Sequence, residues 1–342
     1  MVERTGTRAQ LRMHASNVLL LGAALLVSIV LGECGARIAS KIAPAPRIYP
    51  GERQDRESVN FVPDPVTGWR MRPNHRFEWT IDGRASSYVS DGDGYRTWEI
   101  EPQWGASMPR RRIVLLGDSF TFGTGVDYAQ TFGALLESSS TAVENRAMPG
   151  FGIDQMWTAL DRTVFDLDPD LVVVLFIDED FDRSLTSFRT TEGLSKPTFV
   201  LEDDRLRPLR ADDRPHGLWR WFETKSWLWS ATQELARSTS HWLPIGDWWA
   251  INRALLASMV ERCREENIPL LLVRLPRRHS TPFPALEKEM RALGAPYLDL
   301  DSAPPDVDGP IHFPIDSHID ARGHRWVADQ LRTAPAAAPL LR

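Results

Sequence analysis

Apolar positions run along this chain in three successive rhythms. The first is an uncharged stretch at residues 15–32, rich in Leu, Val and Ala and preceded by Arg4, Arg8 and Arg12. As a helix rising about 1.5 Å per residue it comes close to the roughly 30 Å hydrocarbon core of a bilayer. The second rhythm occupies residues 61–101, where apolar and polar residues alternate, as in Arg76-Phe77-Glu78-Trp79-Thr80-Ile81. Asp82-Gly83 and Asp91-Gly92-Asp93-Gly94 interrupt it, which predicts β-hairpins closed by tight turns. The third begins at residue 111. Strongly apolar runs at 113–116, 171–176 and 270–275, the last broken by Arg274, with weaker ones at 142–146 and 297–300, alternate with helical spacings. Ile153, Met156, Trp157, Leu160 and Val164 form one such face, and Leu255, Met259 and Cys263 another. Strands buried on both sides and separated by amphipathic helices predict a parallel sheet with helices on both faces.

The predicted organisation is therefore a short basic segment (1–14), a transmembrane anchor (15–36), a proline-containing linker (37–60), a β-rich preamble (61–108) and an α/β domain (109–342). A cleaved signal peptide is the rival for the first apolar run. Its nearest Ala-x-Ala lies far downstream at residues 43–45, and Glu33 spoils Leu31-Gly32-Glu33-Cys34 as a lipoprotein box. Arg37, Lys41 and Arg47 follow the run, so charge asymmetry sets its topology only weakly. An insertion at about 181–249 breaks the α/β alternation and holds more than half of the 13 tryptophans. Core packing, a membrane-facing surface and a platform for sugar rings remain open for it.

Composition narrows the function by exclusion. The formal net charge is -6 with both signs interleaved, which leaves no electrostatic footprint for nucleic acid. The two cysteines give no disulfide framework and no metal cluster. Asp91-Gly92-Asp93-Gly94 lacks the later ligands and closing Glu of a calcium loop, and the chain carries neither a phosphate-binding loop nor a His-Glu-x-x-His zinc helix. No metal and no cofactor is expected.

Chemistry enters at residues 111–121, RRIVLLGDSFT, where a buried strand runs into Gly117-Asp118-Ser119. A serine at the carboxyl end of a parallel strand stands where open α/β sheets bind ligands. Two later segments share its character: Asn145 to Gly150 after the second strand, and Asp316-Ser317-His318 before a final helix with Asp320 as its expected N-cap. Together these resemble the ordered blocks of the SGNH or GDSL hydrolases, over roughly residues 111–331. The resemblance implies a three-layer α/β/α sandwich with a flavodoxin-like parallel sheet. It also implies a triad in which Ser119 attacks, His318 takes the proton and Asp316 orients the imidazole. The backbone N–H groups of Ser119 and Gly150 would form the oxyanion hole.

Two departures from the family pattern stand out. The acid and base are spaced Asp-x-His where many members carry Asp-x-x-His, a variation familiar from membrane-associated branches that include polysaccharide O-acetyltransferases. The third block offers Phe176-Ile177-Asp178-Glu179-Asp180 in place of an Asn, so the third oxyanion position falls to Asp178 or Glu179. His324 reads as a structural residue of the last helix. The resemblance implies a membrane-anchored serine esterase with an exported catalytic domain, acting on a small-molecule or carbohydrate ester. An O-acyltransferase to a polysaccharide and a degenerate glycan-binding module are the alternatives.

Overall fold

The computed structural model describes residues 3–42, 60–100, 111–185, 196–203, 205–209, 226–229, 232, 248–278, 286–302, 309–335 and 337–341. Of the expected linker (37–60), residues 43–59 lie outside them, as does most of the tryptophan-rich insertion. The chain forms two units, Met1–Glu52 with Arg214–Pro244, and Arg53–Asp213 with Ile245–Arg342.

In the first unit, α1 (Glu3–Ile42) is a single helix. Its segment Asn17–Ile38, with mean hydropathy 2.2, is long and apolar enough to cross a membrane. Glu33 interrupts that apolar surface, yet its carboxylate accepts hydrogen bonds from the Ser226 hydroxyl at 2.8 Å and from the backbone N–H groups of Trp227 and Leu228 at 3.0 Å each. Arg37 adds a contact at 3.1 Å. Beside it, any side chain at Gly32 would run into Leu228. A segment of the insertion thus packs on α1 through Glu33, the one acidic residue of its apolar segment.

The second unit opens with antiparallel strands. β1 (Phe61–Asp64) pairs with β2 (Gly68–Met71), and β3 (Arg76–Ile81), β4 (Arg84–Ser90) and β5 (Arg96–Thr97) form a second small sheet. Asp82 and Gly83 both take positive φ between β3 and β4, the type I′ geometry that matches strand twist. Then follow β6 (Arg111–Gly117), β7 (Thr141–Asn145), β8 (Leu171–Phe176), a small hairpin of β9 (Phe199–Glu202) with β10 (Arg205–Pro208), β11 (Leu270–Arg274) and β12 (Tyr297–Asp299). The main sheet is parallel and five-stranded, ordered β12-β11-β8-β6-β7.

That order is flavodoxin-like, with the chain leaving β6 toward β7 on one side and β8 on the other. The resulting switch point opens a crevice at the carboxyl ends of β6 and β8. Alternation along the strands feeds two cores. Val114, Leu116, Val172, Val174 and Phe176 pack on one face with α4 (Ile153–Ala159), α6 (Trp248–Glu265) and α7 (Leu286–Ala292). Ile113, Leu115, Val173, Leu175 and Val273 pack on the other with α3 (Phe132–Leu136) and α8 (Ala321–Thr333). This is a three-layer α/β/α sandwich, and Trp69, Met71 and Tyr88 of the preamble belong to the first core.

The helix expected over residues 153–164 is not uniform. It stops being α-helical at Ala159 and continues as a π turn over Leu160–Val164, where the Thr163 hydroxyl donates to the Ala159 carbonyl at 2.8 Å. Such back-bonding competes with the regular ladder.

Candidate active site

The crevice collects the three residues that the sequence spread over two hundred positions. Asp118 caps the short α2 (Ser119–Phe122), its carboxylate accepting from the Phe120 N–H at 2.9 Å. Ser119 is therefore the first helical residue, and its own N–H has no partner inside the helix. From the loop before α8, His318 places Nε2 2.7 Å from Ser119 Oγ and Nδ1 2.5 Å from Asp316 Oδ1. The same Asp316 oxygen accepts the backbone N–H of His318 at 2.8 Å, which ties the acid to the base within the Asp-x-His turn. With Nδ1–H donating to the carboxylate, Nε2 is the lone-pair nitrogen facing the serine hydroxyl. Burial pushes the Asp316 carboxyl upward, but the hydrogen bonds from His318 outweigh it and hold the group below the usual range.

Gly150 occupies the third position of a turn closed by Phe151 N–H donating to the Met148 carbonyl at 3.2 Å. Its φ of 80 after Pro149 is the type II pattern. The turn is fastened to β6, the strand that leads into Ser119, since Met148 N–H donates to the Gly117 carbonyl at 3.2 Å. Gly152 is needed for a different reason, because a Cβ there would stand 2.9 Å from the Ser184 nitrogen. Its absence lets α5 (Asp178–Arg183) close against this loop.

The third segment is arranged differently from the first two. Asp178 gives both carboxylate oxygens to Arg274, at 2.9 and 2.6 Å, and Glu179 is paired with Arg277. Burial raises the Asp178 carboxyl while Arg274 opposes the rise, and Arg274 is itself held charged by Asp178, Asp301 and Asp299. Both side chains expected near the oxyanion are thus engaged in ion pairs. What reaches the nucleophile loop from α5 is Arg183. Its Nη1 lies 3.0 Å from Asp118 Oδ2 and 3.3 Å from the Phe151 carbonyl, and it pairs with Asp180 as well.

The preamble grips the loops that carry Ser119, Gly150 and Asp316. Buried Arg96 donates to the carbonyls of Phe122, Gly123 and Val126 at 2.8, 2.6 and 2.5 Å. The Tyr88 hydroxyl accepts the Gly125 N–H at 2.7 Å, and the Ser86 hydroxyl donates to the Gly125 carbonyl at 2.8 Å. Trp69 Nε1–H donates to the Pro149 carbonyl at 3.0 Å. Asp82 Oδ2 accepts the N–H groups of Ile315 and Asp316 at 2.7 and 3.2 Å.

Sequence reading missed Arg183, Arg96 and Asp82. The three-residue spacing of Asp180 and Arg183 is a helical ion-pair signal that could have flagged the first. The other two act over long separations and leave no local trace. His324 is fully buried, with Nδ1 accepting the Phe132 N–H at 3.3 Å, and burial drives its pKa down to about 3. Trp249 packs edge-on against Phe181 and donates to Glu289 at 3.1 Å, a core role for that tryptophan. Among the described residues no group of three or more His, Cys, Asp or Glu is placed to hold a metal.

No family model matches the chain, and a search among curated proteins returned no match. Among solved structures it is similar to TesA, at 14% identity and TM-score 0.38 over 67% of this chain and 99% of that one. It is also similar to the acetyl xylan esterase AlAXEase, at 14% identity and TM-score 0.38 over 66% and 99%. A lipase/acylhydrolase from Enterococcus faecalis matches at 17% identity and TM-score 0.36 over 64% and 92%.

Proposed function

We propose that this chain is a membrane-anchored serine esterase of the SGNH type that cleaves an ester, with O-acyl groups on carbohydrate as the favoured class, through an acyl-enzyme. The carrying observation is the unbroken relay from Ser119 Oγ through His318 to Asp316 at the sheet's switch point. Ser119 Oγ adds to the ester carbonyl while His318 Nε2 takes its proton, and Asp316 stabilises the resulting imidazolium. The backbone N–H groups of Ser119 and Gly150 receive the oxyanion. Collapse expels the alcohol, which takes the proton from His318, and water then repeats the sequence to free the acid. A sugar hydroxyl in place of water turns the same groups into a transferase. A glycan-binding module would have no use for the aligned relay.

A serine-directed fluorophosphonate should label the protein and fail to label Ser119→Ala, which should also lose roughly 10⁴-fold or more of p-nitrophenyl acetate turnover. Equal labelling of the variant would overturn the assignment. The fate of the acetyl group, free or on an added oligosaccharide, separates hydrolysis from transfer.

Anchoring is supported by Glu33, whose carboxylate is bound by residues 226–228 of the same unit. A cleaved leader would carry that acceptor away. The full-length protein should stay in the membrane pellet through a carbonate wash, with its catalytic part on the extracytoplasmic side. A mature chain beginning near Arg47 would show processing instead.

A further inference from the structure

The nucleophile turn contains an electrostatic problem that the triad does not solve. Asp118 is wholly buried, and its Oδ2 lies 3.4 Å from Ser119 Oγ. A carboxylate in that place opposes both the serine alkoxide and the oxyanion that grows beside it. The backbone N–H groups are dipoles, and the third segment carries no amide side chain to help them. Among the described residues, the cation that reaches Asp118 is Arg183. Arg183 Nη1 contacts the very oxygen of Asp118 that faces Ser119, and it also contacts the carbonyl of Phe151, next to Gly150. A single guanidinium thereby touches both turns assigned to the oxyanion hole. The two carboxylates that hold it are fully buried, while its own side chain is 30% exposed. The close approach of α5 depends on Gly152. Burial works against the charge, but Asp180 and Asp118 overrule it and keep Arg183 protonated, while burial and the neighbouring Asp118 push the Asp180 carboxyl well above its ordinary range, so that the guanidinium is balanced chiefly by Asp118.

We propose, resting on the esterase reading, that Arg183 is the positive pole of the oxyanion pocket, cancelling Asp118 and directing guanidinium N–H toward the acyl oxygen in place of an Asn amide. A charge fixed in advance by buried partners needs no reorganisation when the oxyanion forms. No new covalent step is involved. The proton path remains Ser119 to His318 to the leaving alcohol.

The test uses the full-length protein with Arg183→Lys, which keeps a cation for the buried carboxylates, and Arg183→Gln, which keeps an amide donor without charge. Each is titrated with a fluorophosphonate, so that turnover is counted per correctly built triad, and thermal unfolding is followed in parallel. For p-nitrophenyl acetate, kcat per titrated site should fall about 10- to 100-fold in Arg183→Lys with KM within about twofold. Arg183→Gln should approach the 10²- to 10³-fold loss of an oxyanion donor. Affinity for phenylboronic acid, whose serine adduct is a tetrahedral anion, should fall in proportion to kcat/KM. Wild-type kcat per site in Arg183→Lys with only a lowered Tm would make Arg183 a clamp and overturn the proposal. Failure of the wild-type protein to label at Ser119 would overturn the esterase reading, and this proposal with it.

Discussion

The parallel-sheet part and the antiparallel preamble of the second unit contribute to the site in opposite ways. Ser119, Gly150, Asp316 and His318 all belong to the former. The preamble contributes only grips: Arg96, Tyr88 and Ser86 on the loop after Ser119, Trp69 on the Gly150 turn, and Asp82 on the loop carrying Asp316. Reacting atoms need one arrangement of groups. Holding that arrangement to a fraction of an ångström needs a second set of groups around it. Here the second set comes from a different part of the chain, one that reads in sequence as a preface to the catalytic domain.

If that division is right, damage to the grips should lower activity without touching a reacting group, and the largest effect is expected at Arg96. The guanidinium lies over the Tyr88 ring at 4.3 Å and serves three carbonyls of one loop. Arg96→Leu removes all three hydrogen bonds and leaves buried carbonyls unpaired, at roughly 1–3 kcal/mol for each group left unsatisfied. We expect urea unfolding to show a loss of at least about 2 kcal/mol and esterase activity to drop with it. Full activity in a folded Arg96→Leu protein would break the comparison.

His324 offers the matching test inside the parallel-sheet part. Its folded pKa of about 3 lies below the ordinary 6.5, so between those values the unfolded chain binds a proton that the folded chain refuses. The stability this group contributes is complete above pH 6.5 and is lost as pH falls toward 3, by about 1.4 kcal/mol per pH unit. Urea midpoints at pH 7.5 and pH 5 should therefore diverge, and His324→Gln should narrow the gap while leaving turnover per titrated serine at neutral pH nearly unchanged. An equal gap in the variant would assign the acid sensitivity elsewhere.

The smallest effect is expected at Asp82, which is exposed and holds two backbone N–H groups that water can also serve. Asp82→Gly, which removes the carboxylate yet suits the positive φ of that turn, should leave the unfolding free energy within the usual surface range of about ±0.5 kcal/mol, yet reduce kcat severalfold by loosening the Asp316 loop. Unchanged kcat would show that the loop needs no such support.

Several features were legible in the sequence because their signals are local. Leu171–Phe176 is a strand as its apolar run predicts, and the Asp82-Gly83 turn joins Ile81 to Arg84 in register. Asp320 caps α8 by accepting the N–H groups of Arg322 and Gly323. The third segment was less legible. Its acidic residues were expected near the oxyanion, but Arg274 and Arg277, about a hundred positions later in the chain, draw Asp178 and Glu179 into ion pairs. No local pattern announces where a distant arginine will be carried by the sheet.

The sequence alone therefore determined the parallel sheet, the hairpins and the apolar N-terminal helix, which follow from periodicity and turn chemistry. Ser119, Asp316 and His318 were expected from a resemblance to ordered blocks far apart in the chain, and it is the fold that brings them within hydrogen-bond reach. Only the tertiary structure decided that Arg183 meets Asp118, that Arg96 spans the nucleophile loop and that Glu33 is satisfied by residues 226–228. The physical reason is that a charged side chain is tolerated in a buried place only where specific partners wait for it, and those partners are fixed by strand order and loop closure.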